Sequence, residues 1–328
     1  MIKNLNYSFS TVGSYYDIPK KPDHKIFIGH ITSLPQFHPP EVYGLHRSGD
    51  NEDIFFNMVI GDILGKLPPN YDLELAKQKY PVSYKESMNT VLVQEMERFT
   101  KLLNEIRNSL RTIQKAIKGL VVMTPALESI QHSLLLGRIP AAWAKVSYPS
   151  LKSLPSYIAD FIERTSFLND WFLNGKPVNY WISGFFFTQA FITGAKQNYA
   201  RKYRIPIDQI TFDFQILKVA STDFAPSEGI YVYGLFTDGA RWDIEKGVLA
   251  ELHPKILNDY MPLMWLFPIL GVDYNEKGRY NCPLYKTSER RGVLSTTGHS
   301  TNYVLPFLLN TDENLLIGLN EALLSYVN

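Results

Sequence analysis

An α+β fold, in which an N-terminal helical bundle with one long amphipathic helix precedes a C-terminal antiparallel β-barrel or sheet, is predicted by three features of the sequence. From Leu92 to Leu120 apolar residues recur at alternating spacings of four and three, the stripe of a single long helix. After Pro206 the period changes to two, with Ile210, Phe212, Phe214 and Ile216 separated by Thr211, Asp213 and Gln215. Further short apolar runs then follow, divided by Gly, Pro and charged turns. Helices first and strands afterwards is the α+β order. Three regions result: a mostly irregular 1–50, helices over 51–205 and a small antiparallel barrel over 206–328.

The elements follow in order. Residues 1–50 carry five prolines between Pro19 and Pro40 and one short strand-like run, Ile26–Ile28, so most of this region reads as loop. Ile54, Met58, Ile63 and Leu67 give a short helix over 53–67, stopped by Pro68-Pro69. Ser83-Tyr84-Lys85-Glu86 fits a capping box and places the start of the long helix there. Its acidic residues Glu95, Glu97 and Glu105 precede the basic Arg107, Arg111, Lys115 and Lys118, a polarity that complements the backbone dipole. The stripe is expected to pack against neighbouring helices; the alternative is an adaptor that dimerises through Phe99–Leu120.

Thr124-Pro125 supplies an N-cap and a first-turn proline for a second helix ending near Gly137, and Pro140 restarts the chain. Tyr157, Ile158, Phe161, Ile162, Phe167, Leu168 and Trp171 define a third helix between Pro155 and Gly175. A fourth runs from Thr188 to Tyr203 and ends before Pro206, because the residue preceding proline avoids the α region. Beyond Ile210–Ile216, strands are expected at Gly229–Phe236, Met261–Leu270, Pro283–Thr287 and Asn302–Leu309.

Composition narrows the function classes. Lys and Arg number 33 against 32 Asp and Glu, a net charge of +1, which gives no electrostatic reason for a nucleic-acid or acidic-membrane partner. The longest apolar stretch, Trp181–Ala195, is interrupted by polar residues and falls short of the ~18–20 residues a membrane span needs. Cys282 is the single cysteine and the N-terminus lacks the apolar core of a signal peptide, so a reducing, intracellular compartment is expected. The 20 Tyr, 19 Phe and 5 Trp are denser after residue 140, as suits sheets and large packed contacts.

No catalytic, cofactor or metal site is assigned from local pattern. His24, His30, His38 and His46 share no helical spacing with a carboxylate and have no cysteine beside them, so they do not form a metal-ligand motif. Gly61–Leu67 looks like a phosphate loop, yet its second glycine comes one residue early and Leu67 replaces the Ser/Thr that would hold magnesium. Gly298-His299-Ser300 approaches a nucleophile elbow without its second glycine, leaving a stand-alone hydrolase using Ser300 and His299 as a rival reading. Cys282 lacks a nearby basic group to activate it, and Arg290 and Arg291, which could bind phosphate, have Glu289 beside them.

Longer runs carry a resemblance. Ala144–Leu154 (AKVSYPSLKSL), Trp181–Phe191 (WISGFFFTQAF), Gln197–Asp208 (QNYARKYRIPID), Tyr231–Asp243 (YVYGLFTDGARWD) and Pro283–Tyr303 (PLYKTSERRGVLSTTGHSTNY) closely resemble the C-terminal region of dynein heavy chains, axonemal members above all. Lys66–Leu73, Tyr84–Leu92 and Ala116–Met123 look like the same family, so the resemblance spans roughly residues 40 to 310. It implies a segment of a minus-end-directed microtubule motor. The helices would belong to the lid of the last AAA+ module and the following C-terminal region, and the strands to a small barrel.

The resemblance also implies that ATP, magnesium and the microtubule-binding stalk belong to upstream parts of the parent polypeptide, with no ATP site in this segment. Its partners would be the AAA+ modules of the same heavy chain and dynein complex subunits, in the cytoplasm and the cytoskeleton of the cilium axoneme. Two departures stand out. Ser48–Asp53 leads almost directly to Ile54 where the family has a longer helical stretch, and Leu315–Val327 lacks the family's closing tryptophan and Arg-Gly pair and can be read as a helix.

Overall fold

The computed structural model describes residues 49–254, 256, 258–271, 279–287 and 303–310. Seven α-helices lie among them: α1 (Gly49–Lys66), α2 (Leu73–Lys79), α3 (Ser87–Ile117), α4 (Pro125–Leu135), α5 (Ala141–Val146), α6 (Leu154–Asn174) and α7 (Thr188–Tyr203). The short α2, capped by the Asp72 carboxylate on the Leu75 amide, has no counterpart in the sequence pattern. In α1 the buried face is Phe56, Val59, Ile60 and Ile63, whereas Met58, assigned to the apolar face by spacing, is 51% exposed.

Helix α3 has 31 residues, about 46 Å at ~1.5 Å per residue. It begins at Ser87, not at the Ser83 capping box. Glu86 turns its carboxylate to the Met88 amide at 3.1 Å and holds Asn198 and Lys176 at 2.7 and 2.6 Å, so tertiary partners claim the group that the box requires. The helix stops at Gly119, whose φ of +70° suits glycine. There the Gly119 and Leu120 amides donate back to Ala116 and Lys115, both at 2.9 Å, satisfying carbonyls of the last turn. The same closure recurs at Gly137, with amides of Gly137 and Arg138 bonded to Leu134 and Ser133. Pro155 opens α6, Gly175 at φ +93° closes it, and Arg204 in the left-handed region ends α7.

Ten strands complete the described residues: β1 (Asn179–Trp181), β2 (Ile210–Ile216), β3 (Ile230–Tyr233), β4 (Phe236–Asp238), β5 (Ala240–Asp243), β6 (Val248–Glu251), β7 (Asn258–Tyr260), β8 (Met264–Leu270), β9 (Arg279–Tyr285) and β10 (Tyr303–Asn310). One sheet has the order β1-β3-β8-β2, with β1 parallel to β3 and the remaining pairs antiparallel; the second, β10-β9-β4-β7, is antiparallel throughout; β5 and β6 form a hairpin. Among the described residues these sheets do not join into one closed barrel. The single strand expected over Gly229–Phe236 is two, because the chain turns a corner at Gly234 (φ +92°). A β-carbon there would lie 2.4 Å from the Trp181 ring and 2.6 Å from Ser183 Oγ, so only glycine permits this approach.

One core runs through helices and strands alike. Leu92, Met96, Phe99, Leu103, Ile106, Leu110 and Ile113 are wholly buried along α3, and the same cluster continues to Val232, Leu266, Leu284 and Leu309 in the strands. Rings make the junction: Phe99 meets Phe186 edge-on at 5.6 Å and Phe161 at 6.0 Å, while Phe185 stacks on Phe191 at 4.5 Å. Each such contact adds about 0.5–1.5 kcal/mol beyond its area.

Candidate functional site

The residues weighed from sequence fall into four groups. His24, His30, His38 and His46, Ser288–Arg291, His299 and Ser300 lie outside the described residues. Gly61–Lys66 is the last part of α1, so most of its amides serve the helix instead of converging on a phosphate. Cys282 is buried in β9, and burial pushes its thiol up to about 12, which keeps it in the unreactive protonated form. The Phe99–Leu120 stripe is internal through Ile113, which removes its body as a dimerising surface; Leu120 alone turns outward, 73% exposed.

What the sequence reading missed is a buried polar joint between α6, the preceding loop and the β1 region. Asp160 accepts from Arg164 Nε at 2.7 Å, Lys152 Nζ at 2.6 Å and the Tyr148 hydroxyl at 2.8 Å. Arg164 also donates Nη1 to the Ser183 carbonyl at 2.5 Å and lies over the Tyr148 ring at 4.2 Å and the Trp181 ring at 5.4 Å. Burial alone would raise the Asp160 carboxyl, but Arg164 and Lys152 outweigh it and hold it below its ordinary value. The signal was present as an Asp–Arg pair four apart on α6, amid Tyr157, Phe161 and Leu168.

Glu95 is the second missed group. It is fully buried on α3 and accepts from the amides of Phe186 and Phe187 at 2.5 and 3.0 Å and from Arg98 at 3.0 Å. Its burial outweighs these bonds and raises the carboxyl pKa. It thereby pins the entry to α7 against the middle of the long helix. Glu95 lies three residues after Leu92 and four before Phe99, on the stripe itself, which marks it as inward-facing.

Two outward surfaces are available for contact. The first is a groove of about 910 Å³ between the start of α3, the 176–180 segment, α7 and the 225–230 loop. Five cations (Lys85, Lys176, Arg201, Lys202 and Arg204) and two carboxylates (Glu86 and Glu228) line it. Lys176 pairs with Glu86 at 2.6 Å, Lys202 pairs with Glu228, and Arg201 lies over the Tyr84 ring at 4.6 Å. Tyr84 is 75% exposed, and the neighbouring Val82 and Phe224 project even further. The second surface is the α3–α4 turn, where Leu120, Val121 and Val122 are all exposed, with Leu136 also open at the far end of α4. Among the described residues, no helix is long and apolar enough to cross a membrane, and no group of three or more His, Cys, Asp or Glu is placed to hold a metal.

The fold and these surfaces define an α+β module with a shared core and exposed apolar contact surfaces. Residues 30–324 match the family described as the C-terminal domain of the dynein heavy chain, and this polypeptide belongs to that family. It is 49% identical over 343 residues to dynein axonemal heavy chain 12 of Homo sapiens, covering 95% of this chain and 11% of that protein. It is 44% identical to dynein axonemal heavy chain 3 of Mus musculus and 42% identical to dynein axonemal heavy chain 1 of Homo sapiens. Those matches cover 95% and 94% of this chain and 8% of each relative. The chain thus spans about a tenth of the length of the relatives it matches.

Proposed function

We propose that this polypeptide acts as the C-terminal structural and regulatory segment of an axonemal dynein heavy chain, a minus-end-directed microtubule motor. It braces the AAA+ ring and leaves ATP hydrolysis, with its magnesium, to upstream modules. The observation that carries this reading is the match along nearly the whole chain to about a tenth of axonemal heavy chains. The exposed Leu120–Val122 turn and the groove rim support it, since apolar side chains left open on a module are what an adjoining module covers. Its partners are the AAA+ modules of the same heavy chain and dynein complex subunits. Microtubules are reached only through upstream parts, and the setting is the cytoskeleton of the cilium axoneme.

The strands are read as the wall of one small barrel. A cavity of about 280 Å³ supports this, since it brings Phe214 and Ile216 of β2 together with Trp242 of β5, Gly247 and Leu309 of β10. An ATPase assay on the purified protein tests the central claim. Hydrolysis at a motor-like rate would sink it; no activity, together with in-frame AAA+ modules upstream in the transcript, is the expected result.

A further inference from the structure

Beside the Asp160–Arg164 joint lies a cavity of about 310 Å³, walled by the rings of Trp181, Tyr233 and Tyr260. Its charged lining is Lys152, Arg164 and Lys286 against Asp160 and Glu163, three cations to two carboxylates. Both oxygens of Asp160 are already bonded, to Lys152 on one side and to Arg164 and Tyr148 on the other. Glu95, the other buried carboxylate acting on Lys286, is committed to two amides and Arg98. Among the described residues Lys286 makes no hydrogen bond or ion pair, and Arg164 uses Nε and Nη1 but not Nη2. The recess therefore keeps one cation in excess, and two donors of like charge, Lys286 Nζ and Arg164 Nη2, retain hydrogen-bonding capacity within it.

We propose that this cavity binds a small oxyanion, a phosphate or carboxylate group carried on a small molecule, between Lys286 Nζ and Arg164 Nη2. The volume lies at the small end of ligand pockets, roughly 300–1,000 Å³, which suits a compact ligand lodged among rings. Its wall is preformed, because Gly234 locks the β3–β4 corner against Trp181 and Ser183. The state of Lys286 agrees: burial, aided by Arg164 and opposed by Glu95, pushes its amine down to about 8. The groups facing it are Asp160, Glu163 and Arg164 from α6, Lys152 from the preceding loop, Tyr233 from β3, Tyr260 from β7 and Glu95 from α3. A bound oxyanion would supply the missing negative charge and raise that pKa again. The proposal does not depend on the motor reading, since an ATPase result leaves it untouched.

The test is competitive acylation of the full-length protein near neutral pH, read at each lysine by peptide mass spectrometry. Inorganic phosphate or acetate is titrated in at constant ionic strength. A lysine with a lowered pKa is partly unprotonated and should react readily, and occupancy should slow Lys286 about tenfold when the anion stands at about ten times its Kd. Exposed Lys101, which lines neither this cavity nor the cationic groove, should be unaffected. Protection by phosphate alone supports a phosphate-bearing ligand, and equal protection by acetate supports oxyanions in general, carboxylates included. Slowing of neither, or equal slowing of Lys101 and Lys286, overturns the site. In parallel, Lys286→Met should abolish the phosphate-induced rise in Tm; a rise that persists in the variant also overturns it. If that variant fails to fold, the protection measurement on the unaltered protein decides alone.

Discussion

The body of α3 and the turn that follows it belong to one continuous apolar pattern yet meet opposite surroundings. Phe99, Leu103, Ile106, Leu110 and Ile113 are wholly buried, whereas Leu120, the last residue of the pattern, is 73% exposed and Val122, just beyond it, is 81% exposed. The switch is made by Gly119, which leaves the helix in a left-handed conformation and redirects the chain. A periodic stripe thus reports which side chains avoid water, without saying whether the cover comes from the same polypeptide or from a neighbouring module.

The largest effect should come from forcing charge into the covered part. Ile106→Asp should destabilise the fold by roughly 4 kcal/mol or more, since the new carboxylate would have no partner at a site without solvent access. Urea unfolding followed by circular dichroism measures this. A variant with an unchanged midpoint would mean that the stripe is not core and would dissolve the contrast with the turn.

Next comes the polar joint. Asp160→Asn should cost about 3 kcal/mol at neutral pH, because Arg164 would stay buried without its counter-charge. The pH dependence has a definite sign. The Asp160 carboxyl is held below its ordinary value, so its contribution is complete above 3.8 and is lost as pH falls through the lower folded value. The stability gap between wild type and Asp160→Asn should therefore close in acid. A gap that stayed constant below pH 3.8 would show that the pair is not what stabilises the joint.

Smaller again is Gly234→Ala, expected to cost about 2 kcal/mol through its positive φ and its contact with Trp181. Quenching of tryptophan fluorescence by a neutral quencher reports on the Trp181 corner. Unaltered quenching together with unaltered stability would show that the corner tolerates a side chain.

How far the sequence disclosed this arrangement depends on the range of the interaction. Helix α7 is legible to its ends, Thr188 and Tyr203, because the signals that bound it lie within or just beyond it, as do Thr124 and Gly137 around α4. The capping box puts the start of α3 three residues early because Glu86 is claimed by Lys176 and Asn198, some hundred residues away. Likewise β1 is three residues long and gains its identity only by pairing in parallel with β3; three residues cannot display a period. Glu95 and the Asp160–Arg164 pair are visible as charges on apolar faces. Their partners, the amides before α7 and the Ser183 carbonyl, exist only once the chain has folded.

The smallest expected change in stability tests the comparison most directly. Val122 is 81% exposed, so Val122→Asp should alter the unfolding free energy by no more than about 0.5 kcal/mol. If the turn is covered by an adjoining AAA+ module, the same carboxylate must be desolvated on association, and affinity for a fragment carrying that module should fall by about tenfold or more. Calorimetry on the wild-type and variant proteins against that fragment gives both numbers from folded protein. Intact stability with weakened binding would show that the end of the pattern is completed in trans. Intact stability with unchanged binding would leave the groove around Tyr84 and Phe224 as the surface that docks, because it alone of the two would still offer uncovered rings beside a surplus of positive charge.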